Sequence, residues 1–312
     1  MAYVKVAVFL RTNKFNEKTI SSIDCLSGSQ FFDFFVLANE TAGELHFPGV
    51  KKISHTVETV CNEIEYVNNE EEMILYSDAL FKFIKNRLPD YDYYIMVEDD
   101  VHFVSKSSLL IDKIVIYLSD NNCKVDLFAS WYRDINSTKE YARWSDNCFK
   151  TFNLCVAIFF PLVGLSSRAI DQLDKNRELE NANPDRERHL VFCELSVPTA
   201  LRVAGEFVIK DINEMIPNAY SHDTFKFGLP ELLDSQKLTR TGVEMLHPVY
   251  DIKGGIAKHY HHAEHTGEIE AFLKFLAEIG KPLSDPVIAD FALRALIAIA
   301  VRSKKNSSAI AS

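Results

Sequence analysis

No Cys-x-x-Cys pair occurs in this chain. Its six cysteines, Cys25, Cys61, Cys123, Cys148, Cys155 and Cys193, are scattered singly. That excludes the common structural zinc motifs and reads as reduced thiols, mostly core filler. No run of about 18 apolar residues occurs, so no membrane-spanning helix is expected. The nearest approach, residues 287–301, is interrupted by Asp290 and Arg294. Positive charge is scarce, with 34 Lys and Arg against 44 Asp and Glu, a formal net charge of -10. A general nucleic-acid binder carries the opposite excess, so nucleic acid is not expected as a partner. A phosphate-bearing ligand stays admissible, because a bound divalent cation can supply the missing charge. Residues 1–10 are too short an apolar stretch, too soon followed by Arg11 and Lys14, to read as a secretion signal. The expected location is cytoplasmic. There is no internal repeat and no low-complexity linker.

What is present is apolar material in short runs. Apolar residues make up 47% of the 312 positions, and 22 are Phe, enough for a sizeable core. Residues 3–10 (YVKVAVFL) and 31–38 (FFDFFVLA) read as buried strands of a parallel sheet. Residues 16–25 read as a short helix between them. Residues 71–88 carry Met73, Tyr76, Leu80, Phe83 and Ile84 at helical spacing and stop at Pro89. A strand at 93–97, a helix at 107–119 and a strand at 125–130 follow. Further on, 155–162 and 207–209 are strand-like, while 169–179, 190–204, 266–279 and 286–302 are helical. Residues 223–246 read as loop-rich. Strand and helix alternating in this way predict an α/β domain with a mostly parallel sheet. Ligands bind such sheets beyond the carboxyl ends of the strands.

The acidic triplet Glu98-Asp99-Asp100 stands at one such end. Three adjacent carboxylates repel one another and favour a bound cation or basic neighbours. Mg²⁺ or Mn²⁺ suits hard oxygen ligands whose remaining sites are filled by water and substrate phosphate. A second feature is the His-rich stretch with His247, His259, His261, His262 and His265. His259 and His262, three apart, also allow a separate zinc site, and Gly254-Gly255 would let a loop here move. A third is Glu194, in the otherwise apolar Val-Phe-Cys-Glu-Leu-Ser-Val-Pro. A carboxylate at an apolar site can serve as a general base, or pair with Arg188 or Arg202 on a wet helix face. Asp211 is a weaker rival for that role. Trp131, Tyr132 and Trp144 offer faces on which sugar rings stack, beside the hydrogen-bonding Arg133 and Asp134; Trp131 can equally be core.

The segment YYIMVEDDVHF, residues 93–103, resembles the DXD motif of glycosyltransferases with the GT-A fold. The resemblance implies a Rossmann-related catalytic domain over residues 1–265 and a C-terminal helical extension over 266–312. Within the former, 1–130 would form the nucleotide-binding half and 131–265 the acceptor-binding half. It implies Asp100 as a metal ligand, Glu98 beside ribose or a metal-bound water, and Asp99 in either place. A late His completes the metal shell in that family, for which His247 and His259 are the candidates. Nucleotide contacts would come from Arg11, Thr12, Asn39 and Glu40 after the first two strands, and from Asp78. Glu194 would be the base of an inverting transfer. The implied ligands are Mn²⁺ or Mg²⁺ and a nucleotide-diphosphate sugar, a UDP-sugar by default, with a glycan or lipid-linked acceptor. The motif departs from the family in being Glu-Asp-Asp. Two alternatives stand beside this one. A nucleotidyltransferase would carry a Gly-rich loop where this chain has Arg11-Thr12-Asn13-Lys14. A non-catalytic sugar- or nucleotide-binding protein would keep the fold without turnover. The tail, with Leu293, Leu296 and Ile297 before Arg302, Lys304 and Lys305, suits docking on the domain or on the partner of a homodimer. The competing expectation is a peripheral contact with the inner face of a membrane.

Overall fold

A computed structural model describes residues 4–104, 110–120, 124–136, 143–182, 191–226, 228–233, 242–266, 268–279, 285–286, 288–290 and 292–298. The chain begins with strand β1, Val6–Thr12, whose residues are buried except for the half-buried Arg11. Burial on both faces is what a near-continuous apolar run demands. Helix α1, Glu17–Leu26, is opened by Asn16, whose side chain accepts from the Thr19 amide while the Thr19 hydroxyl answers the Asn16 amide. Strands β2, Asp33–Asn39, and β3, Lys52–His55, follow, then helices α2, Val57–Glu63, α3, Glu70–Leu75, and α4, Asp78–Arg87. Strand β4, Tyr93–Glu98, runs into the acidic triplet, and a short β5, His102–Phe103, comes directly after it.

The second half supplies α5, Leu110–Asp120, β6, Val125–Asp134, α6, Arg143–Phe152, β7, Val156–Ser166, α7, Ser167–Asn181, α8, Cys193–Ala204, β8, Val208–Asp211, and α9, Ile212–Met215. Three two-residue strands, β9 at Glu231–Leu232, β10 at Met245–Leu246 and β11 at Val249–Tyr250, lead to α10, Ile252–Thr266, and α11, Ile269–Ile279.

The main sheet has the order β3-β2-β1-β4-β7-β6-β8. All neighbours pair in parallel except β7, which is antiparallel to both β4 and β6. Side chains alternate across the strands into two cores. One face buries Phe9, Leu37 and Met96 against Leu80 and Phe83 of α4, Leu173 of α7 and Val197 of α8. The other buries Val8, Ile95 and Val97 against Leu26 of α1 and Ile111 and Leu118 of α5. This is an α/β fold with a mostly parallel central sheet flanked by helices. Strand order reverses between β1 and β4, so their carboxyl ends at Thr12 and Glu98 flank the crevice where such sheets take ligands.

Several expectations change. The helix expected over 71–88 is two helices, because the chain turns at Tyr76 and Ser77; the Ser77 hydroxyl donates back to the Ile74 carbonyl at 3.0 Å. The strand expected over 155–162 reaches Ser166 and runs antiparallel. The His-rich stretch is mostly helix, since α10 carries His259, His261, His262 and His265. Gly254 and Gly255 are therefore no hinge: a Cβ on Gly255 would stand 2.5 Å from Leu232 Cδ2 and 3.3 Å from Phe275 Cζ, so the glycine permits close helix packing. Ile256 and Ala263 of α10 share a core with Phe272, Phe275, Ala292 and Ala295, so that core crosses the boundary expected at 265. Strand β3 and helix α2 had no sequence expectation. Among the described residues no helix is long and apolar enough to cross a membrane. The basic end of the tail, Cys123 and Arg188 lie outside the described residues. Cys25, Cys61, Cys148, Cys155 and Cys193 are all free thiols.

Candidate active site

Parallel pairing puts Arg11 of β1 in register with Glu98 of β4. Arg11 Nη1 stands 3.6 Å from Glu98 Oε1 and 3.4 Å from the Ser77 hydroxyl. Asp99 turns the other way, accepting from the Thr12 hydroxyl at 2.6 Å and pairing with Lys14 at 3.5 Å. Asp100 points at the segment that follows β10. Antiparallel pairing of β10 with β5 and a Val249 amide donating to the Asp100 carbonyl at 2.8 Å lay that segment beside the triplet. His247 Nε2 then stands 3.3 Å from Asp100 Oδ1, and the Tyr250 hydroxyl donates to Asp100 Oδ2 at 3.0 Å. His247 Nδ1 faces the Lys226 carbonyl at 3.0 Å, which orients the ring and turns Nε2 toward the carboxylates.

Glu98, Asp100 and His247 each offer one ligand atom, and these atoms lie within 4.8 Å of one another. A Mg²⁺-sized ion, with bonds of about 2.1 Å, spans opposite ligands about 4.2 Å apart, so small rotamer adjustments close the set. Asp100 Oδ1 is buried and receives no aligned hydrogen bond. A buried acceptor left in that state is costly unless something else satisfies it. Two carboxylates and an imidazole fit a divalent cation, and Oδ1 is where it would be bound.

Charge at the site is finely divided. Burial and then the charge of Asp100 raise the pKa of Glu98. Burial also raises Asp99, against Lys14 and the Thr12 hydroxyl. Burial would raise Asp100 too, but the His247 imidazole, the Tyr250 hydroxyl and the charge of Lys18 outweigh it and hold Asp100 below the usual carboxylate range. Lys18 lies beneath the triplet, 2% exposed, donating to the Val101 carbonyl at 2.7 Å and to Ser22 at 2.8 Å. Burial lowers its pKa to about 8 even though Asp99 and Asp100 pull it up.

Two cavities meet at the triplet. The smaller, of about 160 Å³, is lined by Arg11, Thr12, Asn13, Asn39, Glu98, Asp99 and Asp100. The larger, of about 320 Å³, has Arg11, Glu98, Asp100 and His247 on one side. Glu194, Ser77 and the apolar Ile74, Phe160, Pro161 and Phe192 form others of its walls, with Lys258 of α10 also at its edge. Glu194 is 2% exposed and stands in the first turn of α8, its Oε1 accepting from the Phe160 amide at 3.1 Å. The partner expected for it on a wet face, Arg202, instead donates to the Tyr132 hydroxyl at 2.6 Å.

The structure thus brings together Arg11, Thr12, Asn39, Glu98, Asp99, Asp100, His247 and Glu194. It places others elsewhere. Asp78 lines neither cavity and forms a buried pair with Arg177, at 2.9 Å. Glu40 accepts from Lys52 at 2.7 Å and from the Leu45 amide at 2.9 Å, closing its own loop. His259 stacks on Phe275 with centroids 3.6 Å apart and lies outside the cation cluster. Trp131 packs between Phe159 and His222, and the Tyr132 amide donates to Asp211. Trp131, Tyr132, Arg133 and Asp134 are not among the described residues lining either cavity, and the half-buried Trp131 packs against the second core where the β6–β7 register shifts. Asp211 caps α9 and accepts from the Tyr220 hydroxyl, which occupies it as a fold element rather than a base. Sequence reading passed over Tyr250, Lys14, Lys258 and Ser77. Tyr250 carried a signal, three residues after His247, whereas Ser77 was hidden inside an apparently continuous helix.

No family model matches the chain, and no curated protein matches it. Solved structures with a partial likeness include core-mannan synthase A from Aspergillus fumigatus in its Mn/GDP form, at 10% identity and TM-score 0.40, over 72% of this chain and 76% of that one. The galactosyltransferase LgtC with donor and acceptor sugar analogs is similar at 11% identity and TM-score 0.38, over 88% of this chain and 95% of that one. A glucose-1-phosphate thymidylyltransferase from Bacillus anthracis is similar at 9% identity and TM-score 0.35, over 66% and 86%. These are distant likenesses, and the chemistry below rests on the residues of this chain.

Proposed function

We propose that this protein is a metal-dependent glycosyltransferase that moves a sugar from a nucleotide-diphosphate donor to an acceptor hydroxyl. The observation that carries the reading is the cluster of Glu98, Asp100 and His247, with Glu98 and Asp100 on the wall shared by two cavities and His247 and Glu194 in the larger. The smaller cavity takes the nucleoside, against Arg11, Asn13 and Asn39. The larger takes the transferred sugar and the acceptor, whose C–H faces suit Phe160 and Phe192.

The donor set of two carboxylates and one imidazole favours Mn²⁺ over Mg²⁺, which prefers oxygen alone. Bound there, the ion would neutralise charge on the leaving diphosphate. Asp100 and His247 would hold the ion, with Glu98 as a third ligand. Glu194 receives the proton of the acceptor hydroxyl, held in place by the Phe160 amide and the amino end of α8. The acceptor oxygen forms its bond to the anomeric carbon as the bond from that carbon to the diphosphate oxygen breaks. Nucleoside diphosphate leaves with the electron pair, and attack from the face opposite the leaving diphosphate inverts the centre. UDP-sugars are the first donors to try, and a glycan or lipid-linked glycan the first acceptors.

The test is a thermal-shift panel of nucleotide sugars in Mn²⁺, Mg²⁺ or chelator, followed by a turnover assay with the stabilising donor. Metal-dependent stabilisation by one nucleotide family, with release of its diphosphate, is the expected result. Stabilisation by no nucleotide in any metal condition overturns the reading.

A further inference from the structure

We propose that Arg11 is a built-in counter-cation that the metal displaces, and that its release from Glu98 hands its guanidinium to the donor diphosphate. The inference rests on the metal-dependent reading above and adds an order to it. Among the described residues, three cationic side chains and one imidazole face the triplet: Arg11 on Glu98 at 3.6 Å, Lys14 on Asp99 at 3.5 Å, Lys18 beneath, and His247 on Asp100 at 3.3 Å.

These four are not equivalent. Lys18 is enclosed and locked by Val101 and Ser22, so its charge stays whatever binds above. Lys14 neutralises Asp99, which lies outside the cation cluster. His247 is itself a ligand, since a neutral imidazole presents a lone pair. Arg11 contacts a cluster carboxylate yet has no lone pair with which to join the shell. A guanidinium and a divalent ion on one Glu98 carboxylate repel each other, which favours displacement of the more loosely held one.

Arg11 is built to yield. Its backbone is fixed by register partners on both sides, Leu37 and Glu98. Its side chain is 22% exposed, and its contact with Ser77 Oγ, at 3.4 Å, is at the outer limit of a hydrogen bond. It lines both cavities. A displaced guanidinium therefore stays within the crevice, where its fork suits phosphate oxygens. Metal binding and nucleotide binding are then coupled through one side chain, and each strengthens the other.

Opposite signs in one variant test this. In Arg11→Met, calorimetric titration of the metal-free protein with Mn²⁺ should give affinity about two- to fivefold tighter than wild type, as a surface-type ion pair no longer competes. In saturating Mn²⁺ the same variant should bind its best ligand among UDP, GDP, CDP and ADP at least about tenfold more weakly, having lost a charge-assisted contact. Arg11→Lys keeps the competing charge and should leave Mn²⁺ affinity near wild type. Arg11→Gln is read by the same two signs should Arg11→Met fail to fold. Weakening of both ligands, or unchanged Mn²⁺ affinity in Arg11→Met, overturns the displacement. Failure of wild type to bind Mn²⁺ overturns the metal-dependent reading itself, and this inference with it. An intact wild-type Mn²⁺ site with the wrong sign in the variant overturns this inference alone.

Discussion

His247 Nε2 stands 3.3 Å from Asp100 Oδ1, although nearly half the chain separates the two residues. The contact exists because β10 pairs with β5, immediately after the triplet, and because the Val249 amide binds the Asp100 carbonyl. It makes a candidate cation site out of what would otherwise be an acidic turn. Asp100→Asn and His247→Ala should each weaken Mn²⁺ affinity by about a hundredfold or more, since even changes behind the ligands commonly cost 10–100-fold. Calorimetric titration with Mn²⁺ on variants shown to be folded by circular dichroism measures this. His259→Ala, on the stacked helix pair, should leave Mn²⁺ affinity unchanged.

Glu194→Gln keeps the shape of the larger cavity and the bond from the Phe160 amide. It removes the proton acceptor. We expect kcat to fall by about 10²–10⁴-fold, with nucleotide affinity unchanged in a titration of the same protein. Equal turnover would remove Glu194 from the reaction.

The Arg177–Asp78 pair is buried on both sides, 4% and 1% exposed, and Arg177 also donates to Ser196 at 2.6 Å and lies 3.9 Å from the Tyr76 ring centroid. It ties α4, α7 and α8 together behind the larger cavity. Arg177→Met leaves a carboxylate buried without its partner and should cost about 3–5 kcal/mol of stability. Adding Asp78→Leu should restore part of that loss. Urea unfolding of the three proteins measures both effects.

Lys18 makes stability depend on alkaline pH. Its folded-state value is depressed to about 8 from 10.5. Below about pH 8 both states carry the proton, and the cost of enclosing the charge is constant. Between about pH 8 and 10.5 the unfolded chain binds more protons than the folded one, so stability rises with pH. The gain is at most about 3 kcal/mol. Lys18→Met should lack this rise in urea unfolding with chelator present. Buried tyrosines act with the opposite sign; Tyr94, pushed up to about 12, favours the folded state less as pH climbs past 10. Comparing the two proteins isolates the lysine.

Much of the site was legible before any coordinates. An apolar run such as Tyr93–Val97 can only be a buried strand, and a parallel sheet turns the carboxyl ends of its strands to one edge. Glu98, Asp99 and Asp100 were therefore expected at the edge where such sheets take ligands, and they stand beside Arg11 and Thr12. Glu194 stood out for a similar reason, as a lone carboxylate among apolar neighbours.

Local pattern could not say which distant partner each polar group would find. Asp78 and Glu194 look alike as acids on helices, yet one is turned to Arg177 and the other into the larger cavity. Ser77 entered the site only because the helix breaks beside it. His247 and His259 differ little in sequence context, and Trp131 could have faced sugar or core. What the sequence by itself determined is most of the alternation of strands and helices and the acidic edge, because those follow from periodicity and burial along the chain. What only the tertiary structure decided is the choice of His247, the double cavity and the hold of Arg11 on Glu98. Those depend on strand register and helix packing between segments far apart in the chain, which no local spacing records.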